Sequence, residues 1–122
     1  MKAREGGFTL IEIIAVLIIL GILAAVAVPR YMSLTTEAKN QAAMAAVAEG
    51  KARVNQWAAK FILQNGRVPK ASDVKTSEFG TDAGDFKLSY DASSNPVSIT
   101  ASGTAASVNG GTASGTVSLP TT

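Results

Sequence analysis

Residues 8–28 form an apolar run that a single charged residue, Glu12, interrupts. The 21 residues of this run would span roughly 31 Å as an α-helix, at about 1.5 Å per residue, close to the hydrocarbon thickness of a bilayer. The run therefore predicts a helix whose surface needs lipid or other protein around it. Only the remainder of the 122-residue chain can form a globular fold, which is enough for one small domain.

The short leader before the run is basic through Lys2 and Arg4. Positive charge on this side predicts that the N-terminus stays in the cytoplasm and that the rest of the chain lies outside it. A cleaved secretory signal is one interpretation, and Ala25-Val26-Ala27 has the small-x-small pattern of a cleavage site. The run is longer than the usual apolar core of such signals, however, at about 7–15 residues.

A plain membrane anchor is a second interpretation, and it explains the length of the run. It does not explain Glu12, because an ionisable group in hydrocarbon is costly and usually marks a functional position. The charge near the start of the run therefore needs a further explanation.

The composition excludes several classes of function. The chain has no cysteine and no histidine, so disulfide frameworks, thiolate nucleophiles, Cys/His zinc sites and His-dependent triads are excluded. The net charge of +2 is small, and no basic patch alternates with aromatic residues as in nucleic-acid-binding proteins. We expect no enzyme and no resident cofactor.

The segment Gly7-Phe8-Thr9-Leu10-Ile11-Glu12 follows a short basic leader and precedes an apolar run that ends at Pro29. This arrangement resembles the N-terminus of class III signal substrates, which are the type IV pilins and the type II secretion pseudopilins. The resemblance covers residues 1 to about 65. Within the family, Arg30-Tyr31-Met32-Ser33-Leu34 and the alanine-rich sequence after it are most similar to mannose-sensitive haemagglutinin-type pilins.

The resemblance implies roles for individual residues. A prepilin peptidase in the membrane is expected to cut after Gly7 and to methylate the new amine of Phe8. Glu12 is expected to pair, inside a filament, with the Phe8 amine of a neighbouring subunit, which would offset the cost of burying the carboxylate and fix the axial register. The simpler alternative places Glu12 at the level of the lipid headgroups, where water solvates it.

Gly21 and Pro29 are the two weak points of the predicted apolar helix. Pro29 lacks an N–H group, and its ring crowds the carbonyl of Ala25. Gly21 lowers helix propensity by about 1 kcal/mol relative to alanine. The stretch between them is the expected place for unwinding on assembly, although a kinked but continuous helix is an equal alternative for the isolated subunit.

After Pro29 the helical pattern continues to about Gln64, and Asn65-Gly66 predicts its end. An apolar stripe recurs at spacings of three and four, and alanines create a second surface on which a sheet or helix can pack closely. The stripe comprises Val47, Gly50, Val54, Trp57 and Phe61, and the alanine surface comprises Ala38, Ala42, Ala43, Ala45, Ala46 and Ala48. We expect Trp57 and Phe61 to be core residues.

The last third of the chain predicts three or four short antiparallel strands that cover the stripe. Residues 86–90 and 97–101 alternate between apolar and polar side chains, and 116–119 is the candidate last strand. Ser102-Gly103 and Asn109-Gly110-Gly111 are hairpin signals. The predicted fold class is α+β: a long N-terminal helix, hydrophobic and then amphipathic, packed against a small C-terminal antiparallel sheet, which is the pilin fold.

This prediction divides the chain into a leader (1–7), a transmembrane and assembly helix (8–29) and a globular domain (30–122). The globular domain consists of a helix (30–65), a loop (66–85) and antiparallel strands within 86–119. Three carboxylates in or near the loop, those of Asp82, Asp85 and Asp91, are weak candidates for calcium, because major pseudopilins often hold calcium in a C-terminal loop. Their spacing is not that of an EF-hand.

The expected function is structural: a subunit of a type IV pilus, used for adhesion, motility or DNA uptake. The alternative is a major-type pseudopilin that forms a short periplasmic fibre for type II secretion. Both imply storage in the inner membrane, processing by prepilin peptidase, and assembly into a homo-oligomeric filament by a platform protein and an ATPase. The pilin would end up extracellular and the pseudopilin in the periplasm.

Overall fold

A computed structural model describes residues 6–121. The basic leader residues Lys2 and Arg4, most of the predicted leader 1–7, and the last residue of the predicted domain 30–122 lie outside the described residues. Backbone contacts divide the chain into two units, Met1–Thr35 and Thr36–Thr122. Each unit is described by itself.

One long α-helix, α1, spans Leu10–Asn65 and runs without interruption through Pro29. It corresponds to the helix predicted from Phe8 to Gln64. It ends at Gly66, whose φ of +64° suits glycine and whose N–H donates to the carbonyl of Ile62 at 2.8 Å. The Asn65 side chain also donates to the carbonyl of Phe61, at 3.0 Å. The Asn-Gly pair therefore ends the helix as the sequence predicts.

The second unit adds a four-stranded antiparallel sheet with the strand order β1-β2-β3-β4. The strands are β1 (Asp82–Ala83), β2 (Phe86–Asp91), β3 (Val97–Gly103) and β4 (Thr112–Val117). Each neighbouring pair is antiparallel, so the sheet is a simple meander. A long helix with a small C-terminal antiparallel sheet confirms the predicted α+β fold class.

The sheet buries one face against α1 and exposes the other. Alternation along β2 and β3 turns Leu88, Val97 and Ile99 inward, and all three are at most 1% exposed. The other face of β2–β4 carries hydroxyl side chains and two charged ones. These outward residues are Lys87, Ser89, Asp91, Ser98, Thr100, Ser102, Thr112, Ser114 and Thr116.

Small residues let α1 approach the sheet closely. A Cβ atom at Gly50 would lie 2.9 Å from Cγ2 of Ile99, and one at Gly115 would lie 2.9 Å from Cγ1 of Val47. Ala43 and Ala46 are buried in the same core. Of the predicted alanine surface, Ala42, Ala43 and Ala46 pack in this core, whereas Ala38, Ala45 and Ala48 are exposed.

Two sequence predictions in this region need correction. The strand expected at 116–119 begins earlier, at Thr112, and Ser102-Gly103 ends β3 instead of forming a turn. The turn lies in residues 104–111, where Gly110 has a φ of +86°. Gly103 is the last residue of β3, and it is a glycine because a side chain there would clash with the carbonyl of Val108.

The predicted loop 66–85 also contains regular structure. Two single turns of 3₁₀-helix, Ala71–Asp73 and Thr76–Glu78, precede β1. β1 is only two residues long, which is too short for an alternating pattern to be visible in the sequence. It pairs with β2 through Asp82 opposite Lys87 and Ala83 opposite Phe86.

The aromatic end of the stripe is only partly buried. Trp57 is half-buried and packs against the core, whereas Phe61 is partly exposed and lies outside the core cluster. Ala58, three residues before Phe61, is only 3% exposed. The prediction that both aromatic residues are core residues therefore holds for Trp57 only at the edge of the core and is wrong for Phe61, whose ring packs against Trp57 and Arg67 instead.

Candidate functional site: the exposed apolar helix and its polar start

The first part of α1 has no protein covering it among the described residues. All residues from 6 to 38 are exposed, and the large apolar side chains between Leu10 and Val28 expose 43–78% of their surface. An 18-residue window of this helix has a mean hydropathy of 3.0, and none of the window is buried. By length and composition, α1 is the one helix in the described part of the chain that could cross a membrane.

The apolar surface of this segment surrounds the helix instead of forming a stripe. Leu17, Ile18, Ile19 and Leu20 follow one another at about 100° per residue around the helix, and each is at least 55% exposed. A helix that is apolar on every side is stable only inside lipid or among other protein segments. The segment is therefore a surface that needs lipid or further copies around it.

A capping box starts α1. The Thr9 N–H donates to Oε2 of Glu12 at 3.2 Å, and the Glu12 N–H donates to Oγ1 of Thr9 at 3.3 Å. This reciprocal pair satisfies two N–H groups that would otherwise lack partners at a helix start. The carboxylate of Glu12 thus already has a role within its own chain, which the sequence analysis missed although Thr-x-x-Glu is the recognisable signature.

The two predicted processing residues lie directly before the helix. Gly7 and Phe8 are exposed and outside any helix or strand, and Phe8 is 85% exposed. No atom lies within 4 Å of a Cβ placed at Gly7. The bond between them is thus accessible, non-helical backbone, as proteolytic cleavage requires.

Gly21 and Pro29 both lie within the continuous helix. A Cβ at Gly21 would meet no atom within 4 Å, so no packing within the described chain requires a glycine there. The described structure corresponds to the continuous-helix alternative. Unwinding in an assembled filament stays a prediction.

The three aspartates named as calcium candidates, Asp82, Asp85 and Asp91, do not form a cluster. Within residues 6–121, no group of three or more carboxylates could hold a metal ion. Asp82 of β1 lies opposite Lys87 of β2. Asp91 ends β2 four residues after Lys87, which is roughly 13 Å away at about 3.3 Å per residue. Oδ1 of Asp82 accepts the Gly84 N–H, so this carboxylate stabilises a turn.

Asp91 has a comparable local role, because its Oδ1 accepts the Ser93 N–H at 2.9 Å. Hydrogen bonds from Ser93 hold the pKa of the Asp91 carboxyl below its usual value. The carboxylates of Asp82 and Asp91 therefore order the turns beside them.

A cleft of about 790 Å³ lies at the end of the second unit where α1 terminates. Trp57 forms part of its wall; its ring centroid is 5.3 Å from that of Phe61, and its Nε1 donates to Oε2 of Glu78 at 2.8 Å. Lys60, Gln64 and Lys75 also line the cleft.

Arg67 and Asp73 brace this end of the unit. The Arg67 Nη1 and Nη2 atoms bond the two Asp73 carboxylate oxygens at 2.7 and 2.9 Å, and the Lys70 N–H donates to Oδ2 at 2.8 Å. These bonds hold the pKa of Asp73 well below its usual range. The Arg67 guanidinium also lies 4.9 Å from the centroid of Phe61, and no sequence pattern predicts this arrangement.

The fold and the exposed helix define a class: a small α+β domain on an apolar helix that needs lipid or other copies around it. Comparison with known proteins identifies the family within that class. The profile described as the prokaryotic N-terminal methylation motif matches residues 2–28. The type IV narrow pilus major component PilA5 of Thermus thermophilus is 38% identical over 117 residues, which cover 95% of this chain and 97% of that protein.

Two further relatives are similar over shorter lengths. The type II secretion system core protein G of Aeromonas hydrophila is 35% identical over 82 residues, 67% of this chain and 50% of that protein. The type IV major fimbrial protein FimA of Dichelobacter nodosus is 28% identical over 109 residues, 75% of this chain and 68% of that protein. No solved structure matches the chain. The chain belongs to the family of type IV pilins and type II secretion pseudopilins.

Proposed function

We propose that this chain is the structural subunit of a type IV pilus. The observation that carries the proposal is the similarity to a pilus major component over nearly the full length of both chains. The exposed apolar part of α1 supports it, because such a surface requires a lipid solvent before assembly and other copies after it. A structural role needs no enzymatic activity and no resident cofactor.

The subunit is made as a precursor that is cut after Gly7 and methylated at the amine of Phe8. The match of residues 2–28 to a methylation motif supports this, as do the exposed, non-helical residues on both sides of the bond. The enzyme would be a prepilin peptidase in the inner membrane. The precursor would cross that membrane once, with its N-terminus in the cytoplasm.

In the filament, Glu12 accepts the Phe8 amine of a neighbouring subunit. The capping box supports this role, because it fixes the carboxylate at the first turn of α1, next to the position of the new N-terminus. The carboxylate oxygen that accepts the Thr9 N–H has lone pairs left for a further donor. The stretch from Gly21 to Pro29 is the part of α1 that unwinds to let neighbouring helices pack.

Assembly would be driven by an ATPase and a platform protein of the inner membrane, and the product would be an extracellular fibre for adhesion, motility or DNA uptake. Mass spectrometry of sheared surface material tests the proposal. We expect an abundant chain that begins with N-methylated Phe8, whereas a chain that retains Met1 in cells with active peptidase would refute it.

A second candidate function is the major pseudopilin of a type II secretion system. The similarity to core protein G over two thirds of this chain favours it. Deletion of the gene separates the two functions. Loss of surface filaments with normal secretion indicates a pilin, and loss of secretion with unchanged surface filaments indicates a pseudopilin.

A further inference from the structure

The end of the second unit where α1 terminates carries an excess of positive charge. Residues 60–75 contain four cations and one carboxylate, Asp73. That carboxylate is occupied by Arg67. The ammonium groups of Lys60 and Lys75 have no hydrogen-bond or ion-pair partner within residues 6–121. Both lysines line the cleft of about 790 Å³.

The amide side chains of the cleft also favour an anionic occupant. The Glu78 carboxylate also lines the cleft and accepts only the neutral Trp57 Nε1–H, so it keeps its negative charge and leaves Lys60 and Lys75 with an excess of one positive charge. The side chains of Gln56 and Gln64 add amide donors to the wall. The donors left over for a partner are two ammonium groups and two amides, which match a carboxylate.

Asp85 supplies an exposed carboxylate elsewhere on the same unit. It lies in the two-residue turn between β1 and β2, beside Gly84 with a φ of +67°. Its carbonyl accepts the N–H and the hydroxyl of Thr104, at 2.8 and 3.0 Å, so the backbone of the turn is held in place. Its carboxylate is exposed and has no partner within the described residues.

The Asp85 turn and the cleft are two different patches of the unit, because Asp85 does not line the cleft. The connection 104–111, to which Asp85 is bonded, docks on the first part of the unit's helix: the Lys39 Nζ donates to the Asn109 carbonyl at 3.1 Å. The two patches are not equivalent, so the acidic turn of one copy can meet the cleft of another copy.

We propose that Asp85 of one copy docks in the cleft of the next copy, between Lys60 and Lys75. A contact between two different patches on the same domain is heterologous, and repeated heterologous contacts build open helical filaments. This proposal rests on the proposed filament function and names the contact between globular domains within it. The contact complements the helix-to-helix packing of the apolar segments.

Cross-linking in filaments tests the contact directly. The chain has no native cysteine, so Lys60→Cys copies and Asp85→Cys copies can be co-assembled and treated with a short bis-maleimide. On a denaturing gel, we expect most of the cross-linked material from the mixed copies to run as dimers. Copies that carry both Lys60→Cys and Asp85→Cys should give a ladder of higher oligomers. A control pair of Lys60→Cys and Ser114→Cys, with Ser114 on the outer face of the sheet, should give neither.

The outcomes separate this proposal from the filament function. Filaments that form but give no more 60–85 product than the control pair overturn the contact and leave the function standing. Cross-links from Lys60→Cys to a different protein overturn it as well. Failure of the wild-type chain to enter any fibre overturns the proposed function itself.

Charge reversal gives a second measurement that does not depend on the cysteine variants. Lys60→Glu with Lys75→Glu should reduce filament yield several-fold, and adding Asp85→Lys should restore most of it. Lys87→Glu, which reverses a lysine on the outer sheet face, serves as the matched control and should leave the yield near that of the wild type. If the Lys60→Glu/Lys75→Glu variant and the Lys87→Glu variant lose the same amount of filament yield, and Asp85→Lys restores none of it, the pairing is contradicted.

Discussion

Gly50 lies where α1 and the sheet approach most closely, and adding one methyl group there tests the packing described above. A Cβ atom at this position would lie 2.9 Å from Cγ2 of Ile99, 3.4 Å from Cδ1 of Leu88 and 3.5 Å from the Tyr90 hydroxyl. Ile99 is fully buried, and its β-branched side chain has little rotamer freedom. The clash at Gly50→Ala therefore has no inexpensive relief.

Two opposing effects set the expected magnitude. Alanine is favoured over glycine inside a helix by about 1 kcal/mol, whereas overpacking a core costs about 1–3 kcal/mol. Because the Ile99 contact is stiff, we expect a net loss of about 1–2 kcal/mol in the free energy of unfolding. For a domain of 87 residues, this corresponds to a fall in Tm of about 5–15 °C.

The assay is thermal unfolding of the full chain in detergent, followed by the fluorescence of Trp57, the only tryptophan, which lies at the edge of the core. Gly21→Ala is the matched control, since a Cβ there meets no atom within 4 Å. It should not lower the melting temperature. If Gly50→Ala raises the melting temperature, helix propensity outweighs the clash and the close approach of helix and sheet is wrong.

Four other predictions concern charge, metal and assembly. Because Arg67 and the Lys70 N–H depress the pKa of Asp73, the stabilisation from this carboxylate is complete above its unfolded pKa of about 3.9 and is lost as the pH falls through the lower folded value; NMR titration should show the pKa rising towards normal in Arg67→Gln. Glu12→Ala should leave membrane insertion intact and reduce assembly, and a normal filament yield would contradict the pairing role. Calcium should not shift the melting temperature, since the carboxylates of β1 and β2 lie too far apart to share an ion; a rise in Tm on adding calcium would reverse that conclusion. Backbone hydrogen exchange across residues 21–29 should be faster in filaments than in detergent if the helix unwinds there, and equal protection would favour the continuous helix.

The periodic parts of the chain were predictable because burial imposes a pattern on them. Alternation identified β2 and β3, and the Asn65-Gly66 pair identified the end of α1. β4 was placed too late because its sequence, Thr-Ala-Ser-Gly-Thr-Val, lacks large apolar residues on its inward face. Its Gly115 must stay small beside Val47 and Lys51, so the packing that defines this strand also removes its signal.

The same physical reason explains the aromatic residues. A hydrophobic stripe read from sequence favours Trp57 and Phe61 as its centre, because they offer the most apolar area. The structure instead centres the contact on small residues, which allow the backbones to approach, and leaves the rings at the rim of the cleft. The size of the two rings therefore correctly indicated an apolar surface on this part of the helix, but it wrongly indicated that the rings lie at the centre of the core.

The candidate site was predictable where its chemistry is local. Thr9 and Glu12 lie three residues apart, and their capping box can be recognised from the residue types alone. The contacts of Arg53 cannot be recognised in this way. Its guanidinium bonds Glu49 on its own helix and the carbonyls of Gly80 and Asp82, which are far away in the sequence. Such bonds depend on a loop whose path no local pattern describes.

The two parts of α1 carry two different kinds of information. From residue 43 to 58 the buried positions recur with the helical period, so the sequence there specifies packing within one chain. From Leu10 to Val28 every residue is exposed and no period selects a face. A surface without a preferred face cannot be explained by the fold of a single copy, because none of residues 6–121 covers it. Its only polar group, the carboxylate of Glu12, is fixed at the first turn by a bond that leaves acceptor capacity free. Folding therefore depends on the second unit, and the helix-to-helix part of assembly depends on the first, so changes at Gly50 and at Glu12 should affect different measurements and combine additively.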